Sequence, residues 1–415
     1  MDDLVAFVCQ QESTLAIWEC NSYIAHMQYE RPQLLRLLEK GLLTQPITLL
    51  LGPRQCGKTT LARYYENRPD THWFDLENYV HLSRLEDNPM GTLAPLRGRV
   101  VLDEIQRLPG LFPLLRVLAD RPEMPARFLL LGSASPRLNR QASETLAGRI
   151  FRIEMSGFIG SEVGCHHQSI LWLRGGFPDS FLAGSDADSM KWRHDFISDF
   201  LQRDLAVLAE SRLSPQQLRR LLLVLANANA QAINASAVGR DIGVDFKTVQ
   251  RYIDVLEGAY IIRAICPFFA NVAKRVRKAP KLYFRDTGIL HALLGLETEE
   301  QVQTSGRMGF SWESFCLEHL IHEARLESED CFHYSVQSGA AMDLVLSLGG
   351  TAFGFEFKHA AVPAITKSMR AAADDLKLKR VFVLYPGLDS FPLDEAERFT
   401  AVAWRELASI RTKMT

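Results

Sequence analysis

The chain has 415 residues, enough for two or three cores of ordinary domain size, and 47% hydrophobic with 23% charged residues describe a folded globular protein. A formal net charge of −2 sets up no global field for nucleic acid or membrane, so any such surface has to be local. Seven cysteines, odd in number and scattered without paired metal spacing, are most simply read as reduced, cytosolic thiols.

Asp2 and Asp3 stand where a signal peptide would carry lysines, and the longest apolar run, residues 221–226, is too short to span a bilayer. The expectation is a soluble, cytoplasmic protein without a membrane partner. Residues 1–26 read as an appended extension. After them an amphipathic helical pattern runs through Leu34, Leu35 and Leu38 towards a buried strand at residues 47–51.

That strand runs into Gly52-Pro53-Arg54-Gln55-Cys56-Gly57-Lys58-Thr59, and Thr60 opens a helical pattern at residues 60–65. Gly, four residues, then Gly-Lys-Thr between strand and helix is the P-loop pattern. Its chemistry explains its residues: glycines let backbone N–H groups wrap phosphates, the helix N-terminus adds positive potential, Lys58 reaches the outer phosphates and the Thr59 hydroxyl ligates magnesium. ATP with Mg2+ is the expected ligand pair.

An apolar strand follows at residues 99–102 and ends in Asp103-Glu104. Paired with a P-loop, these acids predict that Asp103 serves magnesium and Glu104 polarises the attacking water. A third strand at residues 128–131 runs into Gly132-Ser133-Ala134-Ser135, where Ser133, with Ser135 second, either positions the same water or simply begins a loop. Cys165-His166-His167 reads as a surface loop, since no second cluster matches it.

Strands alternating with helical patterns from about residue 47 to 152 predict an α/β class fold, a parallel sheet wrapped by helices. From residue 192 to 231 the pattern is helical, with Phe196, Phe200, Leu201, Leu205, Leu208, Leu218, Leu221, Leu222 and Leu225 on one buried face, a lid or bridge. Residues 236–256 then read as a helix-turn-helix with Gly243 at the turn, leaving Lys247, Thr248, Gln250 and Arg251 on the exposed face of the second helix. Strands near residues 260–262 and 281–284 suggest a wing, joined by a basic loop of Lys274, Arg275, Arg277, Lys278 and Lys281. This segment either meets DNA or serves as interdomain packing. A helical pattern from about Gly309 and a Gly349-Gly350 hairpin between residues 341–346 and 352–358 complete the chain, with a later strand at 380–385. Glu356 and Lys358 share a strand face, and with Asp343 they form either a metal-dependent phosphodiesterase constellation or a structural salt bridge.

With these residues in hand, the chain resembles a prokaryotic family of AAA+ ATPases in which a P-loop core is fused to a C-terminal domain of unknown function. The matching features run from Tyr29-Glu30-Arg31 through the P-loop, Leu102-Asp103-Glu104-Ile105-Gln106, Leu131-Gly132-Ser133 and Leu146-Ala147-Gly148-Arg149 to Glu356-Phe357-Lys358. The C-terminal part of such proteins looks like the PD-(D/E)xK nuclease fold, whose pattern maps onto Asp343, Glu356 and Lys358, with helical Glu313 as a further ligand of a second metal. The resemblance implies that Arg149 senses or stabilises the γ-phosphate, in its own subunit or a neighbour's, a salt bridge being the alternative. Cys56 stands where the family often has Val, a change that should leave a backbone-lined phosphate site intact.

The expected organisation is an extension at 1–26, an AAA+ P-loop core at 27–160, a helical lid at 161–230, a winged helix at 231–300 and a nuclease-like α/β domain at 301–415. The expected function is ATP hydrolysis coupled to DNA handling, with homo-oligomers as a further possibility. The alternatives are a nucleotide-dependent protein switch with an inactive nuclease-like domain, or an ATP-regulated metal-dependent nuclease.

Overall fold

The computed structural model describes residues 29, 31–122, 125–133, 136–205, 213–268 and 279–414. Expectations placed on residues 1–26, on Glu30, Ser135 and Leu208, and on Lys274, Arg275, Arg277 and Lys278 lie outside the described residues. The chain divides into two units, Met1–Gly157 and Phe158–Thr415.

In the first unit, short apolar runs form β1 (Ile47–Gly52), β2 (Thr71–Asp75), β3 (Gly98–Asp103), β4 (Ala126–Ser133) and β5 (Ile150–Glu154). All pair in parallel, in the order β2-β3-β4-β1-β5. Parallel neighbours need crossovers, which α2 (Lys58–Ala62), α3 (Tyr79–Asp87), α4 (Leu111–Ala119) and α5 (Pro136–Thr145) help to supply after α1 (Pro32–Thr44). β1 is buried at all six positions, as expected of a central strand covered on both faces. This order sets β4 between β1 and β3, so that Gly52 lies in register with Ser133 and the carboxyl ends of all three strands share one pole. The helix expected over residues 60–65 starts earlier and is shorter: α2 ends at Ala62 and a 3-10 turn, Arg63–Tyr65, follows.

The second unit contains α6 (Gln168–Arg174), α7 (Asp186–Asp199) and α8 (Pro215–Asn227), then β6 (Gln231–Ala232), α9 (Ala235–Ile242), α10 (Phe246–Gly258), β7 (Ile262–Pro267) and β8 (Lys281–Phe284). After α11 (Thr287–Leu294) and α12 (Met308–Ala324) come β9 (Cys331–Ser335), β10 (Ala341–Leu348), β11 (Thr351–Phe357), α13 (Lys367–Asp375), β12 (Arg380–Tyr385), β13 (Phe391–Pro392) and β14 (Phe399–Ala403).

These strands form one mixed nine-stranded sheet, because Cys266 and Pro267 of β7 pair in parallel with Phe332 and His333 of β9. Buried polar bonds tie the helices to one another: Trp172 Nε1 donates to Ser311 Oγ at 3.0 Å, and the fully buried Arg193 donates to the carbonyls of Leu173 and Gly288, each at 3.1 Å. The boundaries expected at 230 and 300 therefore fall inside one unit. The hairpin turn is where its residues place it, since Gly349 and Gly350 take φ of 54° and 81°, which side chains disfavour and a tight two-residue connection requires.

Candidate functional site

The loop from Gly52 to Lys58 is built by close backbone approach. A side chain at Gly52 would begin 2.3 Å from the Met155 carbonyl oxygen, and Gly57, at φ 94°, turns the chain into α2. Gln55 also takes a left-handed φ of 62°, and Cys56 is fully buried with its Sγ 3.8 Å from the same Met155 oxygen. Lys58 is 6% exposed and donates to the carbonyls of Gly52 at 3.2 Å and Pro53 at 2.7 Å. Its ammonium thus lies inside the loop.

Thr59 Oγ1 donates to Asp103 Oδ2 at 2.9 Å, joining the start of α2 to the end of β3. Burial pushes the Asp103 carboxyl up to about 6; the Thr59 hydroxyl opposes the shift, and the charge of Glu104 adds to it. Glu104 takes a left-handed φ of 55°, a conformation that costs a non-glycine residue on the order of 1 kcal/mol or more. Its carboxylate accepts from the Gln106 amide, and the other end of that amide accepts from the Ser133 N–H at 3.1 Å. Gln106, to which sequence reasoning gave no role, therefore bridges the ends of β3 and β4. The Ser133 hydroxyl is buried without a hydrogen-bond partner.

A second residue without an assigned role is Arg31. It is 7% exposed and donates to the carbonyls of Cys56 at 3.4 Å, Ser156 at 3.2 Å and Gly157 at 2.8 Å, fastening the P-loop to the segment after β5. Its place in the family feature Tyr29-Glu30-Arg31 and its position before Pro32, which starts α1, hint at a fixed place without giving it a partner.

The γ-phosphate role of Arg149 within its own chain is corrected. Arg149 immediately precedes β5, and its carbonyl accepts from Ile47 N at the amino end of β1, the pole opposite Gly52. Its guanidinium is bound by Asp120, with one bond of 2.9 Å, which is the salt-bridge alternative.

In the second unit, the β10–β11 register brings Asp343 and Glu356 to one face beside Glu313 of α12. Leu344 pairs with Phe355, and Asp343 Oδ2 accepts from Phe357 N at 3.1 Å. The cations balancing these acids belong to the chain itself. Lys358 Nζ lies 2.7 Å from Glu356, and Lys281 Nζ lies 3.1 Å from Glu313 and 3.8 Å from Asp343; Tyr283 also donates to Glu313 at 2.7 Å. Burial, then the Asp343 charge, pushes the Glu313 and Glu356 carboxyls up. Burial opposes the charge on Lys281 and Lys358, yet the surrounding carboxylates outweigh it and both are raised. The lysines stay charged while the crowded acids favour holding a proton.

One expectation is corrected by this cluster. Lys281 is turned into it, 20% exposed, and is not a DNA-facing cation. The residues expected around a second metal, Asp343 and Glu356 with Glu313 and Lys358, do lie together, each acid beside one of the chain's own ammonium groups, and among the described residues no three His, Cys, Asp or Glu gather as a metal-ligand group.

On α10, Lys247 and Arg251 are exposed, whereas the Thr248 hydroxyl is spent on Asp245 at 2.8 Å, completing the helix cap, and the Gln250 amide donates to Asp254 at 2.9 Å. Among the described residues no helix is long and apolar enough to cross a membrane.

A parallel sheet with a phosphate-type loop at the carboxyl end of β1, and with Thr59 joined to an acid at the end of β3, defines a P-loop nucleotide-binding protein. Comparison with known proteins agrees: the family model described as an AAA domain matches residues 44–164, and domains of unknown function match residues 166–300 (DUF8612) and 308–407 (DUF4143). Uncharacterized proteins of Mycobacterium bovis and Mycobacterium tuberculosis are each 44% identical over 372 residues, covering 90% of this chain and 83% of theirs. The chain belongs to their family, P-loop AAA+ ATPases with a C-terminal domain of unknown function. Among solved structures, a Walker-type ATPase of Pyrococcus abyssi is 16% identical with a TM-score of 0.47, covering 64% of this chain and 96% of that one. The RuvB Holliday junction branch migration motor of Thermotoga maritima is 17% identical with a TM-score of 0.30, covering 57% and 89%.

Proposed function

We propose that the chain is a magnesium-dependent ATP hydrolase whose chemistry sits at the pole shared by β1, β4 and β3. The observation that carries this reading is the bond from Thr59 to Asp103 beside a buried Lys58, which joins a magnesium-ligating hydroxyl, a carboxylate and a phosphate-binding cation in one place. The residues fit the ligand pair: the loop backbone and Lys58 would hold the phosphates, and Thr59 with Asp103 would hold magnesium, which when bound neutralises phosphate charge. Lys58 has first to exchange its loop carbonyls for phosphate oxygens. Glu104 orients the attacking water once Gln106 releases it, and the unpaired Ser133 hydroxyl supplies a further donor at the same strand end. The test is ATP-dependent thermal stabilisation together with phosphate release, each with and without magnesium.

DNA handling rests on a narrower base, the exposed Lys247 and Arg251 one turn apart on a helix-turn-helix flanked by three short strands, the arrangement of a winged helix. Replacing both with Ser should flatten the salt dependence of DNA affinity. An unchanged slope would leave α10 as packing. The C-terminal cluster, balanced by its own lysines, favours the reading of an inactive nuclease-like domain, and magnesium-dependent cleavage by the purified protein would overturn that.

A further inference from the structure

At the amino ends of β3 and β4, the pole away from the P-loop, the first unit opens a cleft of about 710 Å3 lined by Glu39, Leu42 and Leu43 of α1, the Tyr65–Asp70 turn, Gly98, Arg99 and Arg127. That volume is in the range of small-ligand pockets. β4 has eight residues, so at roughly 3.3 Å per residue the cleft lies on the order of 20 Å from the nucleotide loop.

Arg99 and Arg127 are register partners on neighbouring parallel strands, so their side chains leave the same sheet face about 5 Å apart at the backbone. Arg68 joins them, its guanidinium 4.4 Å from the Tyr64 ring centroid, while Arg99 stands 5.4 Å from that of Tyr65. Among the described residues none of these three is in an ion pair, although Glu39 and Asp70 line the exposed rim. Two adjacent, unpaired guanidinium forks repel each other and present donors suited to a phosphate or carboxylate.

The second observation is Tyr65. It lines the cleft at 2% exposure, and its hydroxyl is buried without a hydrogen-bond partner. Burial, reinforced by Glu39, pushes its pKa up to about 12, so it is a neutral donor at any working pH. Leaving such a group unpaired carries a desolvation cost that a ligand acceptor would recover.

We propose that this cleft is a binding site for a small polyanion bearing phosphate or carboxylate groups, held by Arg99, Arg127 and Arg68 with the Tyr65 hydroxyl as a neutral donor. The site is separate from the P-loop and does not rest on the hydrolase reading.

The test uses full-length Lys58→Ala protein without magnesium, to silence the P-loop, titrated calorimetrically with pyrophosphate or citrate at constant ionic strength set by chloride. Saturable one-to-one binding is expected for at least one of them, pyrophosphate preferred if the ligand is a phosphate and citrate if a carboxylate. Adding Arg99→Gln and Arg127→Gln should weaken it at least tenfold. Tyr65→Phe should weaken it several-fold while the melting temperature without ligand stays level or rises, because the lost hydroxyl had no partner. No binding of either anion, or affinity unmoved by both the arginine pair and Tyr65→Phe, would overturn the proposal.

Discussion

Asp103 is a buried acid whose raised pKa has a definite consequence. Its folded value of about 6 lies above the ordinary carboxylate range, so the folded state binds the proton more tightly, and that contribution to stability is present at pH 4 and lost as pH rises through 6. At about 1.4 kcal/mol per unit the loss amounts to up to about 3 kcal/mol. Asp103→Asn should therefore match wild type in urea unfolding at pH 4.5 and exceed it at pH 8; a variant relatively weaker at pH 8 would contradict the burial argument. Arg31 makes an independent residue-scale case. Arg31→Ala removes the donor from three loop carbonyls and should cost about 2–3 kcal/mol of unfolding free energy. A change below about 0.5 kcal/mol would show the bonds to be incidental. The P-loop side chains were legible because a phosphate site dictates residue types at fixed spacing. Arg31 and Gln106 were not, because their roles depend on carbonyls and amides brought together only by folding.

Among elements, the helix-turn-helix and the hairpin were readable because local chemistry sets them. Asp245 caps α10 by accepting from Lys247 N at 2.9 Å and Thr248 N at 3.0 Å, and Gly243, at φ 75°, ends α9. Strand β8 misleads. Next to a basic run Lys281 looks like one more surface cation, yet the two-residue period of a strand puts it on the face of Tyr283, and that face meets Glu313. Lys281→Met should consequently leave Glu313 without its cation and cost about 2 kcal/mol or more, an effect that Lys281→Arg should largely recover. A neutral Lys281→Met in chemical unfolding would mean that the cluster does not hold β8 to α12. The parallel join of β7 to β9 was invisible for a different reason: it links strands more than sixty residues apart by only two register pairs, with no turn to announce it.

At the scale of the whole molecule, alternation of strand and helix announced a parallel sheet, but not the order that inserts β4 between β1 and β3. That order is what carries Ser133 to the nucleotide loop, and the strand direction is what carries Arg149 away from it. The β7–β9 pairing also joins the expected winged-helix and C-terminal segments in one sheet, and both lie in the unit beyond residue 157. The central claim, a magnesium-dependent ATP hydrolase at the P-loop pole, is tested most directly by phosphate release from ATP in wild type, Lys58→Ala and Glu104→Gln. Wild type should turn over only with magnesium. Glu104→Gln should keep ATP-induced stabilisation of about 2–3 kcal/mol at a hundredfold excess over Kd but lose turnover, and Lys58→Ala should lose most of both. Wild-type turnover in a folded Lys58→Ala protein, or none in wild type with magnesium, would contradict the account.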